Sequence, residues 1–370
     1  MRNRLWLAVS LIMLAALAVE AQQRALTVCD YRPPESRVST LDLQGSFSMY
    51  DGPYADDRGR SVSASLVADY GLLHTSEALA QQVDLLADIR GKTSGWTAEL
   101  ESAASLRMFW ENDLFAVGAI GVDATNEVRV EADATAGIGT GRFRDVTPLA
   151  KAISIQDALL DLGELLAPLS NETLLDLAQI LGEAGPTEDE RIVRIADRLE
   201  ATSLTRGEEL DVRALLEIGA IIEEADTSRV CGSDVQARIG LTASVLPEPR
   251  ISTTGILLAR YALVPDPVSQ IRASVEAKLR LADLDQMSVS GSTSYTRRLP
   301  DGWVARATYR VDLDRMWSDA EATTWAHAVS SSLTTQLFGA VGMSLVANAE
   351  YQTGDEEITY SIGLLLEASF

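Results

Sequence analysis

The chain has 370 residues and a formal net charge of −23, with 54 Asp and Glu against 31 Lys and Arg. That balance excludes nucleic acid as a partner, because phosphate binding needs clustered Lys and Arg. Mean hydropathy is +0.05, and past the N-terminus no apolar run approaches the ~20 residues of a membrane helix; strands that alternate polar and apolar residues escape that test.

Arg2 and Arg4 precede an apolar run from Leu5 to Val19, and Val19, Glu20 and Ala21 form a small-x-small site. This is the pattern of a secretory signal peptide, 1–21, cleaved after Ala21. A retained anchor is the competing reading, disfavoured by the short run and its flanks. Cys29 follows bulky Val28 well past the run, which argues against lipidation. Residues 22–36 form an N-terminal segment ahead of the first strand. Export places Cys29 and Cys231, the two cysteines of the chain, in an oxidising compartment where they can pair. Two buried free thiols are the alternative.

Next comes sustained period-two alternation. Val83, Leu85, Ala87 and Ile89 alternate with Gln82, Asp84, Asp88 and Arg90. Val128, Val130, Ala132, Ala134, Ala136 and Ile138 alternate with Glu127, Arg129, Glu131, Asp133 and Thr135. Three later segments, centred on Ile239, Val275 and Tyr309, share this grammar, which a helix of period 3.6 cannot produce. Several exceed the ~5–6 residues of globular strands and reach the ~9–11 needed to cross a bilayer at a tilt. The reading is an all-β transmembrane antiparallel barrel of about fourteen strands, an even number as bacterial barrels require. The strands are predicted near 37–50, 61–72, 79–92, 95–110, 113–125, 127–142, 233–246, 252–264, 268–282, 285–298, 302–315, 320–336, 338–352 and 357–370. Strands 1–6 occupy 37–146 and strands 7–14 occupy 231–370.

Between them the period becomes helical, giving an α-helical insertion over 147–230, after the sixth strand. An apolar stripe runs through Ile155, Leu159, Leu160, Leu162, Leu165 and Leu166. Ser170 or Asn171 caps a second helix, Thr187 and Glu190 match a capping box for a third, and a fourth runs from Leu210 to Ile221. With both termini periplasmic, strand parity puts the insertion in the periplasm. It also puts Cys29 and Cys231 on that same side, so the two are expected to form a disulfide.

The C-terminus resembles the insertion signal of bacterial outer-membrane β-barrel proteins, porin-like in pattern. Phe370 ends the chain, with Ala368, Leu366, Leu364, Ile362 and Tyr360 on one face before it. The resemblance implies insertion into outer-membrane lipid by the barrel assembly machinery and identifies no subfamily. Trp96, Trp110, Trp303, Trp325, Tyr351 and Tyr360 lie near predicted strand ends, where interfacial girdles form.

No catalytic residue, metal site or cofactor emerges. His74 falls in a predicted turn, and His327 lacks a serine two positions away, the spacing used by lipid-hydrolysing barrels. His and Cys do not cluster as transition-metal ligands. The lumen carries the information. Early strands put Asp84, Asp88, Glu99, Glu101, Glu127, Glu131 and Asp133 on the polar face; later ones put Arg238, Arg272, Lys278, Arg280, Arg306 and Arg310 there. Exceptions include Arg90, Arg107, Arg129, Glu276, Asp312 and Asp314. Acidic and basic walls that face each other suit a passive channel for small hydrophilic solutes. The alternative is a non-conducting anchor, its charges paired across a filled lumen, whose insertion at 148–224 recruits a periplasmic protein partner for envelope assembly or export.

Overall fold

The computed structural model describes residues 26–33, 35–51, 60–92, 95–110, 113–125, 129–183, 185–207, 209–223, 228–246, 249–281, 286–299, 302–316, 323–338, 341–352 and 359–369. The expected signal peptide, Glu127 and Phe370 lie outside these residues.

The strands are β1 (Glu35–Asp51), β2 (Arg60–Ser76), β3 (Leu79–Lys92), β4 (Gly95–Phe109), β5 (Leu114–Thr125), β6 (Arg129–Asp145), β7 (Val230–Leu246), β8 (Arg250–Asp266), β9 (Ser269–Arg280), β10 (Gln286–Arg298), β11 (Val304–Met316), β12 (Thr323–Phe338), β13 (Val341–Gln352) and β14 (Thr359–Ser369). Each pairs antiparallel with the next, and β14 returns to β1 through Leu43–Ala368 and Gln44–Glu367 to close the barrel. Closure brings the two end strands of the sheet together over this short register, and a closed sheet is what can sit in hydrocarbon. β2 runs four residues past the expected 72. Its last residues find partners in a long β1, with Glu35 opposite Ser76, so His74 lies in a strand and not in the expected turn.

Alternation sorts the strands into two faces. Ile120, Ile138, Ile239, Leu257, Val275 and Val329 stand exposed on the outer face, Ile138 at 66%. Such a band of exposed aliphatic residues belongs against lipid, and the closed antiparallel barrel that carries it is the outer-membrane architecture. Tyr309, Trp325, His327 and Tyr351 cluster on this face towards one rim, with Tyr309 Oη 2.8 Å from His327 Nδ1 and the indole stacked on the imidazole. Trp110, 58% exposed, marks the other rim.

At that second rim the connections are short, as at 77–78, 267–268 and 339–340. The opposite rim carries the longer ones, at 52–59, 317–322 and 353–358. Short turns mark the periplasmic side, and the helical insertion between β6 and β7 emerges on it.

The insertion contains α1 (Thr147–Asp161), α2 (Asn171–Gly182), α3 (Glu188–Glu200) and α4 (Val212–Glu223). Ser170 Oγ accepts from the Thr173 N–H at 3.1 Å, and Thr187 and Glu190 make a reciprocal capping box. Two expectations need correction. The stripe through Leu165 and Leu166 is not one helix. Gly163, at φ +73°, ends α1 in the left-handed conformation, and Leu165 instead bridges to Thr205 while Leu166 points out. Leu210 precedes α4, its N–H held by Glu200 Oε1 at 2.9 Å.

Leu149, Ile155, Leu159, Leu177, Ile195, Leu199 and Ile218 are fully buried between the helices. The same core continues through Val146, Val28, Tyr31, Cys231 and Val264, so the helical layer is packed onto the barrel rim. Cys29 and Cys231 form a disulfide there, with Cα atoms 5.4 Å apart and a sequence separation of 202. Replacing both by Ser removes a long-loop crosslink and is expected to lower stability by about 2–4 kcal/mol, read as a lower unfolding midpoint in detergent. Mass spectrometry of the non-reduced chain should show the linked Cys29 and Cys231 peptides.

Lys151 in α1 donates to the Ile222 carbonyl at 2.8 Å. Burial, then the nearby Arg191 and Arg298, push its pKa down to about 8 from 10.5. Between those values the unfolded chain holds the proton that the folded chain has released. The contribution of Lys151 to stability therefore rises with pH from about 8 towards 10.5 and is constant below that window. A Lys151→Met variant should lose this slope, measured by thermal unfolding across the same range.

Candidate functional site

Near the periplasmic end of the lumen, side chains of strands that are not sheet neighbours meet. Gly141 and Gly232, at φ +103° and +135°, sit near one another on the paired strands. Their left-handed backbone, unfavourable with a side chain, reshapes this hairpin where it enters the insertion. Arg142, next to Gly141, donates to the Ser76 and Glu77 carbonyls of the β2–β3 turn at 3.0 and 2.9 Å. Arg142 and Arg144 both contact Asp113 in the β4–β5 connection, at 3.0 and 3.5 Å. Arg229 reaches the Pro267 and Val268 carbonyls of the β8–β9 turn, both at 3.3 Å. Three arginines thus tie the root of the insertion to turns on both sides of the mouth.

Just inside the mouth, Phe109, Phe115, Val117 and Ala80 form a buried apolar cluster on the inward face. Phe115 lies over Gly139, where an added Cβ would come 2.4 Å from its ring. Arg142 stacks on Phe109 at 3.8 Å and Arg107 approaches Phe115 at 5.7 Å.

Beside this cluster four strands contribute one polar bridge. Asp234 on β7, 1% exposed, accepts from Arg260 of β8 through Nε at 3.0 Å and Nη2 at 2.5 Å. Arg107 of β4 approaches the same carboxylate at 3.5 Å and donates to Gln82 Oε1 of β3 at 3.1 Å. Arg260 Nη1 donates to that oxygen at 3.2 Å. The Gln82–Arg260 bond therefore joins β3 to β8 directly, across strands that are not sheet neighbours. Gln236 donates to Asp234 at 2.9 Å. A buried carboxylate persists only when its charge is matched, and here two guanidinium groups match it.

The bridge and the expected lumen residues overlap only partly. Asp84 adjoins it and accepts from Gln82 at 2.8 Å. Arg238 and Lys278 contact Glu276 at 3.7 and 3.0 Å, a local pairing of the basic wall with one of its own exceptions. Register puts Asp88 opposite Glu99, Glu131 opposite Asp123, and Asp133 opposite Gly121. Glu101 lies opposite Asp123 as well, so the acidic residues gather over β3 to β6. Arg272 lines the cavity beside the bridge. Arg280, Arg306 and Arg310 lie opposite Thr254, Thr296 and Ser292 on neighbouring strands. Tyr360 and Ile362 are exposed on the outer face at 80% and 76%. Leu364, Leu366 and Ala368 continue β14, the last two paired with Gly45 and Leu43 of β1.

Sequence reasoning missed Asp234, Arg260, Gln82 as a bridging residue, and Asp123. Asp234 shares the inward parity of Gln236 and Arg238, so its face was legible. What the sequence does not show is that Arg260 and Arg107 meet it, since these residues belong to three strands.

No family model and no curated protein matches the sequence. Among solved structures, a bacterial polysaccharide outer membrane secretin overlaps 90% of this chain and 98% of its own, at 6% identity and a TM-score of 0.35. Omp33 of Acinetobacter baumannii overlaps 92% and 100%, at 9% identity and 0.34. OccK3 (OpdO) of Pseudomonas aeruginosa overlaps 90% and 95%, at 8% identity and 0.35.

Asp234→Asn should destabilise the protein by about 3–5 kcal/mol, because it leaves two clustered guanidinium groups without their counter-ion. Adding Arg107→Gln to that variant should recover part of the loss. Urea unfolding midpoints of the three proteins in one detergent give the comparison.

Proposed function

We propose that the protein is an outer-membrane pore passing small hydrophilic solutes, with the bridge of Gln82, Arg107, Asp234 and Arg260 as its narrowest point. One observation carries this reading: the inward face of β9 to β11 is polar along almost its whole length. Register sets Arg272, Ser274, Glu276 and Lys278 of β9 against Ser294, Ser292, Ser290 and Ser288 of β10. The latter face Thr308, Arg310, Asp312 and Asp314 of β11. Thr308 in turn faces Ser330 of β12. A wall of hydroxyls and charges holds water and exchanges hydrogen bonds with a hydrated solute. A barrel filled only for stability has no need of it.

Acidic residues over β3 to β6 and basic ones over β7 to β11 add a field across that path. Fourteen strands lie between the roughly eight that side chains nearly fill and the roughly sixteen that leave a wide channel. The bore is accordingly small, and a few side chains suffice to set it.

The second reading, a non-conducting anchor, draws on the same bridge, because side chains meeting across the lumen are also what a plug requires. Its insertion would then dock a periplasmic partner through 148–224. Conductance separates the two. In a planar bilayer the pure protein should pass small steady currents, and Gln82→Ala, which removes the acceptor shared by two arginines, should raise the unit conductance. If neither protein conducts, nor a variant lacking the insertion, the pore reading fails and the anchor stands.

A further inference from the structure

The helical layer has one end that the barrel does not hold. Lys151, near the start of α1, donates to the Ile222 carbonyl near the end of α4. Just past α1, the Glu164 carbonyl accepts from the Arg206 N–H at 2.9 Å and Leu165 bridges to Thr205, both in the turn that leads to α4. α1 and α4 are therefore antiparallel, and the end of one lies with the start of the other. The barrel holds the opposite end, where the Val146 N–H donates to the Arg229 carbonyl at 2.8 Å and Tyr31 Oη to the Ala178 carbonyl at 3.3 Å. α1 has 15 residues, so the far end of the layer lies about 22 Å along it from the rim.

That far end carries apolar side chains in the open. Leu166, Val212 and Leu216 are 67%, 66% and 69% exposed, and Leu162 is 42% exposed. Val212 and Leu216 lie four apart on α4 and so share one face. A single exposed leucine is ordinary on a protein surface, whereas a group of them marks a contact surface. Lipid accounts for the exposed aliphatic residues of the barrel wall, but these stand on the helices beyond the rim.

Charge limits what covers them. Residues 147–223 hold 16 Asp and Glu against 6 Lys and Arg. Two of those arginines, Arg194 and Arg198, pair with Glu183 and Asp176. Asp161 and Asp211, the chain neighbours of Leu162 and Val212, are exposed, as is Glu209. Arg206 and Arg213 are the cations of these turns. A second copy of this acidic layer, or an anionic lipid surface, would meet like charge here, and a cationic partner would meet its complement.

We propose that this end of the insertion docks a basic amphipathic segment of a periplasmic protein. The segment's apolar face covers Leu166, Val212 and Leu216, and its Lys and Arg side chains lie towards the surrounding carboxylates. The proposal takes its docking role from the second reading above, and it does not need the lumen to be closed.

The probe is a labelled helical peptide of Leu and Lys, roughly 18 residues or five turns long, with one apolar and one cationic face. Fluorescence anisotropy follows its titration with the purified full chain in an uncharged detergent, against micelles alone. Binding should saturate, and a matching peptide of Leu and Glu should not bind. Leu166→Ser combined with Leu216→Ser, both at exposed positions, should weaken binding roughly tenfold without moving the unfolding midpoint. Val193→Ser, at an exposed residue about midway along α3, should leave binding unchanged. Raising the salt to about 0.5 M should weaken it, because the charge contribution is screened. In cells, a photo-crosslinker at position 216 should join a segment of net positive charge in another protein. Equal binding of the Leu and Glu peptide, or binding that the double variant leaves unchanged, would overturn the proposal. So would crosslinks to a second copy of this chain or to an acidic segment. None of these measurements reads conductance, so their failure leaves the pore reading in place.

Discussion

Every feature of this protein depends on one constraint: within hydrocarbon, each backbone N–H and C=O must find its partner inside the protein. A single sheet meets that demand only by closing on itself, and here β14 closes on β1 through a short register from Asp42 to Gly45. Closure fixes which side chains see lipid and which see the lumen, because a slip of one residue would exchange the two. The exposed Ile138 and the lumen-facing Gly137 and Gly139 on β6 are outcomes of the same rule. Ile138 contributes to the apolar belt, Gly139 gives Phe115 room to pack inward, and Gly137 admits the close approach of the Ala237 backbone.

The constraint also explains what was legible in the sequence. Alternation over Val83–Ile89 and Val128–Ile138 reveals strand, face and approximate length, because lipid and water reward the two faces differently at each step. Helical periodicity and the Thr187–Glu190 capping box are equally local, and the α3 helix begins where they place it. Parity then carries Cys29 and Cys231 to one side of the membrane without knowledge of either strand's exact ends. The bridge is different in kind. Asp234, Arg260, Arg107 and Gln82 come from four strands, and their meeting depends on barrel diameter, stagger and the bend at Gly141 and Gly232. None of these leaves a mark in a single segment. The same limit applies to the end of α1: a continuous apolar stripe through Leu166 hides the break that Gly163 introduces.

The helical insertion is attached by more than its two connections. Its core shares Cys231 and Val264 with the barrel rim, and Arg142, Arg144 and Arg229 tie its root to three turns. Most of these arginine contacts are to backbone carbonyls, whose positions do not change with the side chains of the turns. The insertion is therefore held at the mouth, close to the bridge of Gln82, Arg107, Asp234 and Arg260. On the pore reading proposed above, a solute that passes the bridge also passes beside these helices, whose exposed carboxylates contrast with the arginines within.

The disulfide has a topological consequence. By joining residues 29 and 231 it makes the segment between them a covalent ring, and that ring contains β1 to β6 and all four helices. The remaining eight strands form a linear tail attached to it. Both sulfurs lie at the same rim of the barrel. A single cut in the connection at 52–59 would open the polypeptide yet leave one covalent molecule, separable into two pieces only after reduction. In a compartment with proteases, the first six strands and the helical layer are protected as a unit, while a cut among β7 to β14 would release a free fragment.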